Sequence, residues 1–299
     1  MGSYIFGTPE CSRLPRIVSA AIVLAIASSA AATHAQQKEA AQTLVREVVY
    51  NELHDHDAHG YWRYWIRENI AEGARTVQVV ETPAGPIKRV VLNNGHPIDP
   101  LNQQVENARL EKLANSPDEQ ASHRQAYAHD EGRVRRIMTM LPDAFCFDEA
   151  GQANGIRHLR FRPNPNYAAH TIEARVFHAL HGDLWIDTGT KRMTGLEGRM
   201  DQDLNFGFGL LGRVNKGSWF RMQRRQVSAT EWKTDVLEVH MSGRAVIFKT
   251  VARETSEVRG GFARVPSNFS VEQSVRLLEN AQPDTVAAAF APVSLTRGQ

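Results

Sequence analysis

Between Tyr61 and Val265 the chain is built from short runs in which large apolar residues alternate with polar ones, and turn-forming residues separate the runs. Alternation at period two buries one side of a strand and wets the other, so each run predicts a strand of an antiparallel sheet. Tyr61-Trp62-Arg63-Tyr64-Trp65-Ile66-Arg67 is the plainest case. Arg75 to Thr82 and Ile87 to Asn94 follow, joined through the turn Pro83-Ala84-Gly85-Pro86. Further strands are expected at Arg157 to Arg162, Thr171 to Leu180, Asp183 to Asp187 and Arg192 to Asp201. Four more are expected at Ser218 to Ser228, Glu231 to Met241, Arg244 to Arg253 and Val258 to Val265. His181-Gly182-Asp183 and Thr188-Gly189-Thr190 read as turns, and Ser242-Gly243 as a tight hairpin.

Residues 99–141 change to helical character. Asp99 before Pro100 caps one helix, and Ser116-Pro117-Asp118-Glu119 is a capping box with proline at the first helical position. Val134, Ile137, Met138 and Leu141 then share an apolar face, and Pro142 is expected to stop the helix. Arg124, Arg133, Arg135 and Arg136 form a solvated opposite face. A helix at Gln42 to Leu53 precedes the strands, and one at Val271 to Leu278, capped by Ser270 with Gln273 three residues on, follows them. About a dozen strands with one helical block predict an α+β fold, a large curved antiparallel sheet forming a half-barrel. Helices cover its concave face. The domain runs over 36–282 with its insertion at 99–141, and 283–299 reads as a flexible tail.

Arg13 and Arg16 precede an apolar run from Ile17 to Ala32, and small residues lead to Ala35. At about 16 residues the run is short of the roughly 20 that span a bilayer, so residues 1–35 read as a cleaved signal peptide and not as an anchor. The mature chain is then expected in the periplasm or outside the cell, with no membrane span. Of the two cysteines, Cys11 leaves with the leader. Cys146, between Phe145 and Phe147, has no internal partner and reads as core. A hydrophobic fraction of 42% excludes a disordered chain. Thirty-five basic against 33 acidic residues argue against a nucleic-acid partner.

Signals for chemistry are sparse. His54, His56 and His59 alternate with Asp55 and Asp57, the ligand types of zinc or copper, but in a helix-to-strand connection they read more simply as a solvated loop. Gly207-Phe208-Gly209-Leu210-Leu211-Gly212 matches G-x-G-x-x-G, yet a strand follows where a dinucleotide site needs a helix. It reads as a hinged apolar loop. Hydrolase motifs are absent, so no catalytic residues, no cofactor and no enzymatic activity are expected. The aromatics Trp62, Trp65, Trp185, Phe206, Phe208, Trp219 and Trp232, with Leu210, are the candidates for lining a cavity on the inner face.

Two resemblances add to this. Leu141-Pro142-Asp143-Ala144-Phe145, Pro163-Asn164-Pro165-Asn166-Tyr167, Ala174-Arg175-Val176-Phe177-His178, Leu184-Trp185-Ile186-Asp187 and Asn215-Lys216-Gly217 resemble a family of uncharacterised secreted bacterial proteins. Arg160-Phe161-Arg162-Pro163 followed by Gly182-Asp183-Leu184-Trp185-Ile186-Asp187 is more distantly similar to the periplasmic outer-membrane lipoprotein carrier (LolA-type) superfamily. That likeness implies a half-barrel whose cavity holds an acyl chain, a lipid or a lipidated protein. The expected function is therefore non-enzymatic binding of an apolar ligand. The alternatives are an interaction or sensor module for an envelope protein partner, and a metal-dependent enzyme at the histidine cluster.

Overall fold

A computed structural model gives the fold over residues 36–54, 60–168, 170–206, 212–245 and 253–290. Helix α1 (36–53) leads into a four-strand meander: β1 (Tyr61–Ile70), β2 (Gly73–Val80), β3 (Ile87–Asn93) and β4 (His96–Pro97). Helices α2 (Pro100–Asn115) and α3 (Pro117–Ala144) follow. The chain returns as β5 (Phe145–Ala153), β6 (Ile156–Pro163), a short α4 (Ile172–Phe177), β7 (Leu180–Asp187) and β8 (Arg192–Met200). It continues through β9 (Leu204–Phe206), β10 (Gly212–Val214), β11 (Trp219–Gln226), β12 (Trp232–Met241), β13 (Gly243–Ala245) and β14 (Arg253–Val265). Helices α5 (Val271–Glu279) and α6 (Thr285–Ala289) close the described chain.

Eleven strands form one open sheet in the order β4-β3-β2-β1-β14-β12-β11-β8-β7-β6-β5. All its pairs are antiparallel. The architecture is α+β, and a curved half-barrel is compatible with it.

The order explains the helical insertion. Strands β4 and β5 occupy opposite edges, yet only α2 and α3 connect them. Ten interstrand steps at about 4.8 Å make an edge-to-edge distance of roughly 48 Å. The 28 residues of α3, at about 1.5 Å each, reach roughly 42 Å. With the 16 residues of α2 adding roughly 24 Å, the insertion is a strap long enough to carry the chain across the sheet. Asp99 accepts from Asn102 N at 3.1 Å to start α2, and Ser116 Oγ accepts from Glu119 N at 3.3 Å to start α3. Ser116→Ala is expected to cost about 1 kcal/mol, read as a lower thermal midpoint by circular dichroism; an unchanged midpoint would mean the strap holds without its cap. Pro142 does not stop α3, which runs on to Ala144. Proline lacks the N–H that would donate to the carbonyl four residues back, which costs least near a helix end, and the Pro142 carbonyl, in the last turn where carbonyls lack helical donors, accepts from the Gln42 amide of α1.

Four further expectations are corrected. The stretch Thr171 to Leu180 is mostly the helix α4, because Thr171 Oγ1 caps Ala174 N at 3.1 Å and pulls the segment out of the sheet. His181-Gly182-Asp183 is not a turn but lies inside β7, where Gly182 pairs with Gly198 of β8. A Cβ at Gly182 would collide with the Glu197 carbonyl and the Phe161 ring, and one at Gly198 with the Phe220 ring. The glycines therefore let both rings lie against the sheet. Beyond Ser242, β13 leaves the main sheet to pair with β10 in a three-stranded β13-β10-β9 sheet. Finally, residues 283–290 are not a loose tail: Val286 of α6 buries against Trp65, and Arg67 sits 4.0 Å from the centre of the Phe290 ring.

The core has several parts. Helix α5 packs Val271, Val275 and Leu278 on Val80, Ile87 and Leu110. Arg89, buried in the same place, donates to the Leu278 carbonyl at 2.7 Å and to Asn107 at 2.9 Å. Its burial lowers the guanidinium pKa. The largest cluster lies under α1, α3 and α4 on β5 to β8.

Candidate functional site

That largest cluster surrounds a cavity of ≈ 370 Å³. Its roof is Val45, Val48 and Val49 of α1, Ile137, Met138 and Leu141 of α3, and Val176 and Phe177 of α4. Its floor is Phe145, Phe147, Phe161, Leu180, Leu184, Met193, Leu196, Met200, Phe220, Val239 and Met241. Strand alternation places most of these: Phe145 and Phe147 flank Cys146, which is half-buried and not core. A bulge in the β7–β8 pairing, where Trp185 meets Gly195 but Ile186 meets Met193, shifts the alternation so that both Met193 and Leu196 reach the cavity. Phe145 anchors an aromatic cluster, with ring centres at 4.8 Å to Phe161, 5.1 Å to Phe177 and 6.5 Å to Phe147.

Ser218 and Trp219 are the only bounding residues with a polar side-chain atom. Ser218 Oγ already donates to Asn215 O at 2.9 Å.

A second chamber of ≈ 250 Å³ shares Met138, Met193 and Leu196 with the first and adds Glu52, Leu53, Glu131, Val134, Arg135, Met222, Arg224 and Thr234. Here the walls are charged. Glu52 Oε1 accepts from Arg224 Nη1 at 2.5 Å and from Met193 N at 3.1 Å. Arg192 Nη1 lies 3.8 Å from Glu52 Oε2 and donates to Asn51 O at 2.7 Å. Side-chain exposure is only 11% for Glu52 and 12% for each arginine. The roof helix also carries Tyr127, whose phenol pKa rises to about 12 through burial, then the charges of Glu131 and Glu81.

The expected aromatic lining separates. Trp219 bounds the cavity at its β11 end, its ring stacked over His240 at 6.2 Å. Trp185 faces the other side of the sheet, stacked on His158 at 4.8 Å. Trp62 and Trp65 lie on opposite faces of β1: Trp62 donates to Glu231 Oε1 at 3.1 Å, and Trp65 packs under α6. Trp232 bounds neither chamber; its carbonyl takes Arg224 Nη2 at 2.7 Å. Phe208 and Leu210 lie outside the described residues, as does the side chain of Phe206, whose backbone is in β9. The hinged-loop reading of residues 207–212 therefore falls outside them too, apart from Gly212 in β10. His56 and His59 are likewise outside; His54 stacks on Tyr50 at 4.1 Å, with Nδ1 2.8 Å from Tyr50 O.

Of the expected tryptophans only Trp219 bounds the cavity, and the rest of its strand-borne wall is mostly Phe, Leu and Met. Indole carries an N–H that needs a partner when buried, which favours strand ends and rims. A wall without polar partners selects Phe, Leu and Met.

Among the described residues no helix is long and apolar enough to cross a membrane, and no group of three His, Cys, Asp or Glu side chains gathers to hold a metal. Comparison with protein-family profiles, curated proteins and solved structures finds no match to this chain.

Proposed function

We propose that the protein is a non-enzymatic binder of an acyl chain, lipid or lipidated protein, held in the apolar cavity under α1, α3 and α4. The single observation that carries this is the cavity's size combined with its lining. The cavity's wall is almost wholly apolar, and covering such a wall removes apolar surface from water at about 25 cal/mol per Å². Water fills it poorly, since an ordered water needs two to four polar partners. An alkyl chain fills it well, each methylene leaving water with a gain of about 0.8 kcal/mol. The volume also lies within the roughly 300–1,000 Å³ usual for ligand sites. The bounding residues offer no acid or base, which favours binding over catalysis.

In this reading the leader at 1–35 delivers the chain to the periplasm or beyond. Carriage of acyl cargo there, in the manner of LolA-type carriers, is the form the function takes.

The test is native mass spectrometry of the protein purified from a secreting host, with solvent extraction of what travels with it. A lipid-like adduct is the expected result; a bare chain that also refuses an added fluorescent acyl probe would refute it. Leu184→Trp, which pushes an indole up from the cavity floor, is expected to weaken probe uptake at least tenfold. Trp185→Ala, altering the neighbour on the outer face, should leave uptake intact. Equal uptake by Leu184→Trp and the unaltered chain would place the probe elsewhere.

A further inference from the structure

One row of direct strand pairings crosses the cavity floor: Phe147, Phe161, Gly182, Gly198, Phe220 and Val239, each on the next strand of the sheet. The four side chains of that row bound the cavity, and at its middle two glycines leave the floor bare. We infer that the Gly182–Gly198 pair sets the depth of the cavity and so its ligand class: one unbranched acyl chain of about a dozen carbons, not a two-chain lipid. The inference rests on the acyl-binding reading above and narrows it.

The space over the glycines is taken by their neighbours in the row. A Cβ at Gly182 would stand 2.8 Å from Phe161 Cζ, and one at Gly198 would overlap Cε1 and Cζ of Phe220. Each ring tip therefore sits where a side chain would begin. Any side chain at these positions lifts a ring toward the roof, and the volume it needs comes out of the cavity. That volume is already short. At roughly 30 Å³ for a group the size of a water, which a methylene is, ≈ 370 Å³ holds about twelve of them. Two such chains need twice the space. The head is not selected here. No charged side chain bounds the cavity, and Ser218 Oγ is occupied, donating to Asn215 O at 2.9 Å and accepting from Ser242 N at 3.2 Å. A polar head gains nothing from such a wall and stays in water, so selection falls on the length and number of chains.

The experiment lets lysophosphatidylcholines of about 8 to 18 chain carbons, each below its micellar concentration, displace a fluorescent acyl probe from the purified chain. Affinity is expected to rise about fourfold per added methylene and to level off near 12 carbons. A phosphatidylcholine with two chains of about 8 carbons should bind within about twofold of its one-chain counterpart. Gly198→Ala is expected to move the level-off about two carbons shorter, weakening the longer ligands at least tenfold and leaving the shortest unchanged. Adding Phe220→Leu, which removes the displaced ring, should restore the original profile. Phe220→Leu alone should move the level-off to longer chains, and it serves as the test of depth if Gly198→Ala does not fold. Affinity that climbs evenly to the longest chain, or a two-chain ligand held clearly tighter, would overturn the single-chain limit. Variants that change all chain lengths alike, or none, would overturn the role of the glycine pair. Failure of every ligand and of the probe to bind would overturn the acyl-binding reading itself.

Discussion

Phe145→Ala is expected to lower the thermal midpoint by roughly 6–20 °C, since truncating a buried phenylalanine costs about 3–5 kcal/mol and each kcal/mol moves a domain of this size by about 2–4 °C. Phe145 is 2% exposed, at the junction of strap and sheet, and touches three other phenylalanine rings. Part of the loss is the ring–ring geometry itself, about 0.5–1.5 kcal/mol per pair. Phe145→Leu should therefore recover more than half of the deficit. Added acyl ligand should raise the midpoint of the variant and of the unaltered chain alike, by mass action on the folded state. A fall of under about 3 °C would show that the strap and sheet close without this cluster.

Glu231→Ala should be comparably damaging for a different reason. The carboxylate is 1% exposed and accepts from Ser228 Oγ at 2.8 Å, Trp62 Nε1 at 3.1 Å and Gly60 N at 3.2 Å, with the Arg264 guanidinium also bonded to it. It joins the start of β12 to β1 and β14. Removing it strands buried donors beside a cation, a loss of about 3–5 kcal/mol. The denaturant midpoint should drop accordingly, and Trp62 emission should shift to the red as its N–H meets water. Arg264→Ala, at a half-exposed partner, should cost much less. If the two substitutions proved equal, the carboxylate would not be the hub that its four donors suggest.

Much of the fold was readable because period-two alternation survives in most strands. β1, β2, β3 and β6 begin and end within a few residues of where their apolar residues alternate. The caps at Asp99, Ser116 and Ser270 were readable for a local reason: a side-chain oxygen and a backbone N–H three residues away settle them. Reading failed where two periods fit the same residues. Thr171 to Leu180 alternates well enough for a strand, and only the cap at Thr171 decides for helix. Gly182 looked like a turn because its pairing with Gly198 is a fact about a distant strand. The site was harder still. Each tryptophan is large enough to line a cavity, but which face it meets depends on register and on bulges such as that between Trp185 and Ile186. The charged chamber brings together Glu52, Glu131 and Arg224, from an early helix, the strap and a late strand, and no local pattern announces it.

The strap also divides the chain for folding. Before it, β1 to β4 form a meander of neighbouring pairs; after it, β5 to β8 do the same. The one seam joining the two halves of the main sheet is β1 with β14, where Tyr61 pairs with Val265. Those partners lie roughly 200 residues apart along the chain, so their contact carries a large loop-closure entropy. The meanders are thus expected to form early and separately, with zipping of the seam as the slow, late event. Amide exchange would then find β1 and β14 opening together, at a lower free energy than the hairpins on either side. A ligand that draws strap and sheet together would act on assembly as much as on the finished molecule.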